Sequence, residues 1–208
     1  MSAKPIQEQF GEKVIEAFAD FARSELKAPD QLEGDEFSHI SDTGLRKDLA
    51  QVFYGARWLY KLGLALLTRD EERAAHVRAQ LLDYGSLVEG LLAHCVAHAV
   101  RTKQTTGDAF KWRDPDKKQQ PINWNVKDPE AQIGRQSFWW LIRVAWEFAV
   151  VPKKLREDLD WLREQRNTVH LRQRSALGQT AYLNHSKRAF ELVIQTIAET
   201  KAWKATHP

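Results

Sequence analysis

A chain of 208 residues that is 43% hydrophobic and 28% charged has globular composition, long enough to bury a core without disulfides or a structural metal. No apolar run approaches the ~20 residues of a membrane span, MSAKPIQEQFGEK carries no apolar signal core, and Cys95 is the lone cysteine, so a reducing cytoplasmic setting with no membrane partner is expected. The net charge of +3 hides an asymmetry: residues 1–45 hold four basic and ten acidic side chains, while 101–128 and 153–174 each hold seven basic and four acidic. Basic stretches of this kind attract phosphate polymers and equally serve as solvated faces.

Helical periodicity dominates the chain. Ile6, Phe10, Val14, Phe18, Phe21 and Leu26 recur at three- and four-residue spacing, predicting a helix over 6–27 within an N-terminal arm over 1–40. Pro29, Gly34 and the polar run up to Asp42 then break the pattern. Asp42 is the expected N-cap of a second helix running to about Thr68. A third spans about Glu71–Thr102 and is apolar on more than one side between Leu81 and Val100, which predicts a central place in a bundle.

Residues 103–129 interrupt the helical pattern. Gly107, Pro115, Pro121 and Pro129 punctuate a basic segment that reads as an inserted loop or lid. Within it Trp112 and Trp124 flank Lys111, Arg113, Lys117 and Lys118; such aromatics either stack unpaired bases while the cations follow a backbone, or anchor the loop to the bundle. Helicity resumes from Pro129 to about Val151, breaks at Pro152, resumes through LREDLDWLREQRNTVHL, and closes with a last helix over about 180–202. No alternating strand pattern or internal repeat is evident. The expected fold is all-α, one domain over 1–208 with about six helices.

The informative stretch is Leu155–Leu171. At ~100° per residue Leu155, Leu159, Leu162 and Val169 share one apolar stripe, and Arg166 projects into the middle of it. Arg163, Arg166 and His170 line up along one side of the helix, with Asn167 beside Arg163. An arginine in an apolar seam needs a partner. Either a carboxylate elsewhere in the fold satisfies it, with Glu89 inside the apolar run of the third helix the natural candidate, or the seam is a cleft that binds an anion. An arginine fork suits a phosphate, and an imidazole titrates near neutral pH.

The run LDWLREQRNTVHL resembles the signature helix of the HEPN superfamily, in which an arginine is followed by four to six residues and a histidine, with a polar residue after an arginine. Arg163 and His170 enclose six residues, and Arg166–Asn167 supplies the arginine-polar pair with three residues before His170, so either arginine could be the family's. The DYGSLVEGLL stretch at 83–92 is also similar, and the resemblance extends over about 70–200. It implies a HEPN-like helical bundle that homodimerises over a composite cleft and acts as a metal-independent endoribonuclease of toxin or abortive-infection type, needing no cofactor. His170 would then activate the ribose 2′-hydroxyl, Arg163 or Arg166 would hold the scissile phosphate, and Asn167 would orient one or the other. Arg172 and Arg174 would extend the RNA contact, and an antitoxin or sensor protein would be a natural partner. The alternative within the same family is a non-catalytic module that binds a protein or nucleotide. In the nuclease the histidine and arginine should face a solvent-reachable basic groove; in the module they should be buried and paired, Arg166 with a carboxylate such as Glu89.

Two further clusters have plainer readings. His94 and His98 stand four residues apart beside Cys95, but without HExxH or CxxC they read as packed core groups and not as metal ligands. Trp139, Trp140 and Trp146 lie on one amphipathic stretch and are expected in the core or an interface.

Overall fold

The computed structural model describes residues 10–102, 129–167 and 182–207. Among them it is all-helical, with eight helices: α1 (Glu12–Arg23), α2 (Pro29–Asp35), α3 (Thr43–Ala65), α4 (Asp70–Arg101), α5 (Pro129–Ile133), α6 (Phe138–Glu147), α7 (Lys153–Asn167) and α8 (Tyr182–Thr206). The central element is α4, which packs against α3, α5, α6, α7 and α8. Its buried positions wrap around the helix, from Leu81 and Tyr84 through Leu87, Val88, Leu91 and Leu92 to Val96, as a helix surrounded on most sides requires. The proposed insertion, with Lys111, Trp112, Arg113, Lys117, Lys118 and Trp124, lies outside the described residues, as do His170, Arg172 and Arg174.

Local chemistry sets the helix ends. Asp42 Oδ1 accepts from the backbone N–H groups of Gly44 and Leu45 at 2.9 and 3.0 Å, capping α3. Two boundaries differ from the sequence reading and raise the helix count from about six to eight. Pro29 starts a short helix where a break was expected, because proline's fixed φ suits a first turn and Gln31 Oε1 accepts from Ala28 N–H at 3.1 Å. The stretch expected as one helix from Pro129 divides at Gly134–Ser137, where Ser137 Oγ accepts from Trp140 N–H at 3.3 Å and begins α6 afresh.

The first helix lies on the bundle with its apolar stripe uncovered. Phe10, Val14, Phe18 and Phe21 form the predicted stripe, yet all four are exposed, and the buried residue of α1 is Ala22. What holds α1 is Lys61 of α3, 7% exposed, whose ammonium donates to the Ser24 carbonyl, to Ser24 Oγ at 2.8 Å and to Glu25 Oε2 at 3.2 Å. A cation on the last carbonyls of a helix satisfies acceptors that have no partner within the helix.

Histidines gather where α4 and α8 meet the start of α3. His39 Nε2 lies 3.0 Å from Thr200 Oγ1, and His94 Nε2 accepts from Ser41 N–H at 3.4 Å. Burial first, then nearby cations, lowers both histidines to about 4: Lys201, Lys204 and His94 bear on His39, and Arg101, Lys204 and His98 on His94, with Asp42 opposing weakly. Both are therefore neutral at pH 7 in the folded state and protonate more readily when unfolded, near pH 6.5. The unfolded chain then binds more protons, so stability is fully present above pH 6.5 and is lost as pH falls toward 4. The thermal midpoint should accordingly fall steadily between pH 6.5 and 4; a flat midpoint across that window would contradict the burial of these rings.

Candidate functional site

Helix α7 is seated by Leu155, Leu159 and Leu162, all fully buried. Their spacing turns Arg163 and Arg166 toward the edges of that seat, where α7 crosses α4 and α6. The two arginines, one turn apart, enter different surroundings.

Arg166 crosses over α4. Its Nη1 lies 2.6 Å from Glu89 Oε2, and its guanidinium stands 5.6 Å from the centre of the Phe138 ring. The stem passes so close to Gly85 that a Cβ there would sit 2.8 Å from Arg166 Cδ and 3.4 Å from Cγ. Glycine at 85 is thus what allows this arginine to lie across the helix. Gly85 and Glu89 are separated by four residues and share a face of α4. The pair is half-buried, with each side chain 28% exposed and one guanidinium nitrogen held by the carboxylate. Arg166 is paired as the module reading requires, and the His170 on which the nuclease reading turns lies outside the described residues.

Arg163 belongs to a second network. Its Nε lies 3.6 Å from Asp160 Oδ1 and its Nη2 donates to Glu164 Oε1 at 3.3 Å. Asp160 Oδ2 in turn accepts from Arg143 Nη2 of α6 at 2.7 Å, and Arg143 faces the Trp139 ring at 5.6 Å. Asp160 was not singled out in the sequence; its signal is an acid three residues before Arg163, a helix-neighbour spacing. Asn167 is the last described residue of α7 and is exposed. On the other flank Arg188 of α8 donates to Asp158 at 2.6 Å and stacks over Trp161 at 4.2 Å, and His185 meets the edge of Trp161 at 5.6 Å. His185 is a second imidazole beside the motif helix, lowered by burial and by Arg188, and it too escaped the sequence reading.

The remaining candidates are structural. Cys95 is fully buried and burial pushes its thiol up to about 12, so it is not a nucleophile. His98 lies 3.1 Å from Lys204 Nζ and against Trp203. Among the described residues no three His, Cys, Asp or Glu side chains are grouped to hold a metal ion. Trp140 is buried, and Trp139 and Trp146 pack on the core from partly exposed positions.

No helix among the described residues is long and apolar enough to cross a membrane. No family model, curated protein or solved structure matches the chain.

Proposed function

We propose that this chain is a HEPN-like, metal-independent endoribonuclease acting in a toxin or defence role, its site built on the C-terminal end of α7. The observation that carries the reading is Arg166: a half-buried guanidinium fork held by Glu89 at one nitrogen, four residues before His170 in sequence. Fixing one edge of the fork orients the other without spending side-chain freedom on binding. In the reaction His170 takes the proton of a ribose 2′-hydroxyl, the 2′-oxygen attacks the adjacent phosphorus, and the 5′-oxygen departs and is protonated. Arg166 stabilises the charge gathering on the phosphoryl oxygens, with Arg163 one turn before it and Asn167 directly after it in sequence. Products are a 2′,3′-cyclic phosphate and a 5′-hydroxyl. A homodimer would bring two such motifs over one groove, the basic segments at 101–128 and 153–174 would follow the RNA backbone, and an antitoxin or sensor would restrain the activity.

A second reading is favoured by one observation: both arginines already have carboxylate partners, Glu89 for Arg166 and Asp160 for Arg163. On that reading the domain is a non-catalytic binding module and the seam is a structural lock.

The deciding experiment incubates the purified chain with total RNA in excess EDTA, beside the same preparation of His170→Ala, and maps the new ends. Cleavage by the wild type alone, leaving cyclic-phosphate ends, is expected. Equal cleavage by both proteins removes His170 from the mechanism, and intact RNA with both favours the module.

A further inference from the structure

One cavity lies beside the arginine seam and has no part in the chemistry above. It measures about 400 Å³ and is bounded by the N-terminus of α3, the outer half of α4 and the short α5. That volume falls in the range of small-molecule sites, about 300–1,000 Å³. Its floor is apolar, made by Leu45, Ala93, Ala97 and Ile133, and its polar groups converge on one side: Ser41, Asp42 and His94. Arg101 and Glu130, bonded to each other, stand among the exposed lining residues.

The cavity shares a helix face with the seam. Ala93 is one turn beyond Glu89 on α4, about 6 Å along the axis, and Ala97 one turn further. On the opposite wall Ile133 and Gly134 directly precede the segment leading to Phe138, the ring beneath the Arg166 guanidinium. The cavity thus begins one helical turn along α4 from the carboxylate that holds the arginine fork.

The polar groups define what would enter. His94 Nε2 accepts from Ser41 N–H, and burial keeps the imidazole neutral, so this wall carries no histidine cation. Asp42 Oδ1 serves the α3 cap, and Glu130 supplies a second carboxylate already paired on one side with Arg101. With Arg101 and Glu130 turned to each other, the groups left on the side where the polar residues converge are the Asp42 carboxylate and the Ser41 hydroxyl. A flat heterocycle with amino groups on its edge would lay its faces on the aliphatic floor and donate to Asp42 and Ser41 Oγ; a heterocycle with a carbonyl group at the same edge would meet the Asp42 carboxylate.

We propose that this cavity is a nucleobase subsite that takes an unpaired, amino-bearing base, adenine or cytosine in preference to uracil, next to the phosphate held by Arg166. The inference rests on the ribonuclease reading for its place along the strand, and on the cavity's own chemistry for its preference. Specificity of the nuclease would then arise at the base beside the scissile phosphate, because single-stranded RNA is read by splaying bases into pockets and hydrogen-bonding their edges.

The test uses the full chain with adenosine, cytidine and uridine as separate probes, read by NMR titration, with phosphate omitted so that Arg166 contributes no ionic contact. Adenosine and cytidine should saturate, and uridine should bind about tenfold more weakly or worse, as expected for the loss of a hydrogen bond to a charged group. Asp42→Asn keeps a good helix cap while removing the charge, and should reduce the cytidine-to-uridine ratio toward one. Ala97→Phe fills the floor and should abolish binding of all three. Absence of saturable binding, equal binding of cytidine and uridine, or binding indifferent to both variants would overturn the subsite. The outcome separates from that of the nuclease itself: cytidine binding without RNA cleavage sinks the nuclease and keeps the pocket, and cleavage without nucleoside binding does the reverse.

Discussion

Arg166→Ala should slow RNA cleavage by about two to three orders of magnitude, the cost of removing one preorganised charge donor from a developing oxyanion. His170→Ala should cost about 10²–10⁴, the range for a positioned general base. The arginine is the sharper test, because its surroundings predict how its neighbours behave. Arg166→Lys keeps the charge but loses the fork, and an ammonium can serve Glu89 or the phosphate in one geometry but not both in the bidentate one; it should recover little of the rate. Glu89→Gln should act through Arg166: the guanidinium loses the partner that fixes one edge, so the turnover falls while the arginine remains present. Because the pair is half-buried and each variant leaves one partner behind, stability should fall by about 1–3 kcal/mol, far less than the loss in rate. A single-turnover assay with urea melts on the same samples checks both halves. Full activity in Arg166→Ala would move the phosphate contact to Arg163 or sink the nuclease reading.

Gly85 offers an independent probe of the same crossing. Alanine is the better helix former by about 1 kcal/mol, yet its Cβ would press on Arg166 Cδ at 2.8 Å. The two effects oppose in stability but not in geometry. Gly85→Ala should therefore leave the melting temperature nearly unchanged while displacing Arg166 and lowering cleavage, the signature of a glycine kept for a close approach.

What the sequence made legible follows from which interactions are local. The 3.6-residue period identified the helices and the central place of α4, because a helix buried on most sides must be apolar on most sides. Glu89 and Arg166 were each visible as a charge within an apolar run, which made Glu89 the natural candidate for the partner that the structure gives Arg166. Their 2.6 Å meeting depends on how α7 crosses α4, and no spacing along either helix encodes that crossing. The same holds for Arg143–Asp160, which joins α6 to α7, and for the Lys61 ammonium that ends α1. The split at Gly134–Ser137 was hidden by Trp139, Trp140 and Trp146, whose apolar weight continued a pattern that the Ser137 cap in fact restarts. The stripe of α1 shows the limit of the same signal: Phe10, Val14, Phe18 and Phe21 have the period of a buried face and remain exposed. Periodicity reports that a face is apolar, not that this chain covers it.

Leu159→Ala should destabilise the fold by about 2–5 kcal/mol, the usual cost of a cavity in a fully buried leucine site. At roughly 2–4 °C per kcal/mol for a chain of this size, the melting temperature should drop by about 4–20 °C. The position matters because Leu159 lies between Leu155 and Leu162 on the buried face of α7, the helix that carries Arg163 and Arg166. Losing its methyls loosens the seat of the motif without touching a charged group. Leu159→Met, which conserves most of the volume, should cost less than about 1.5 kcal/mol. Well below its midpoint, Leu159→Ala should cleave RNA within a few-fold of the wild-type rate, and it should lose activity on warming in step with unfolding. Arg166→Ala should show the reverse pattern, with little activity even well below its own midpoint. A Leu159→Ala protein that melts normally would mean α7 is not seated as described; one that is folded but inactive in the cold would place the packing of α7 within the mechanism, because the arginine fork then depends on sub-ångström support from the leucines beneath it.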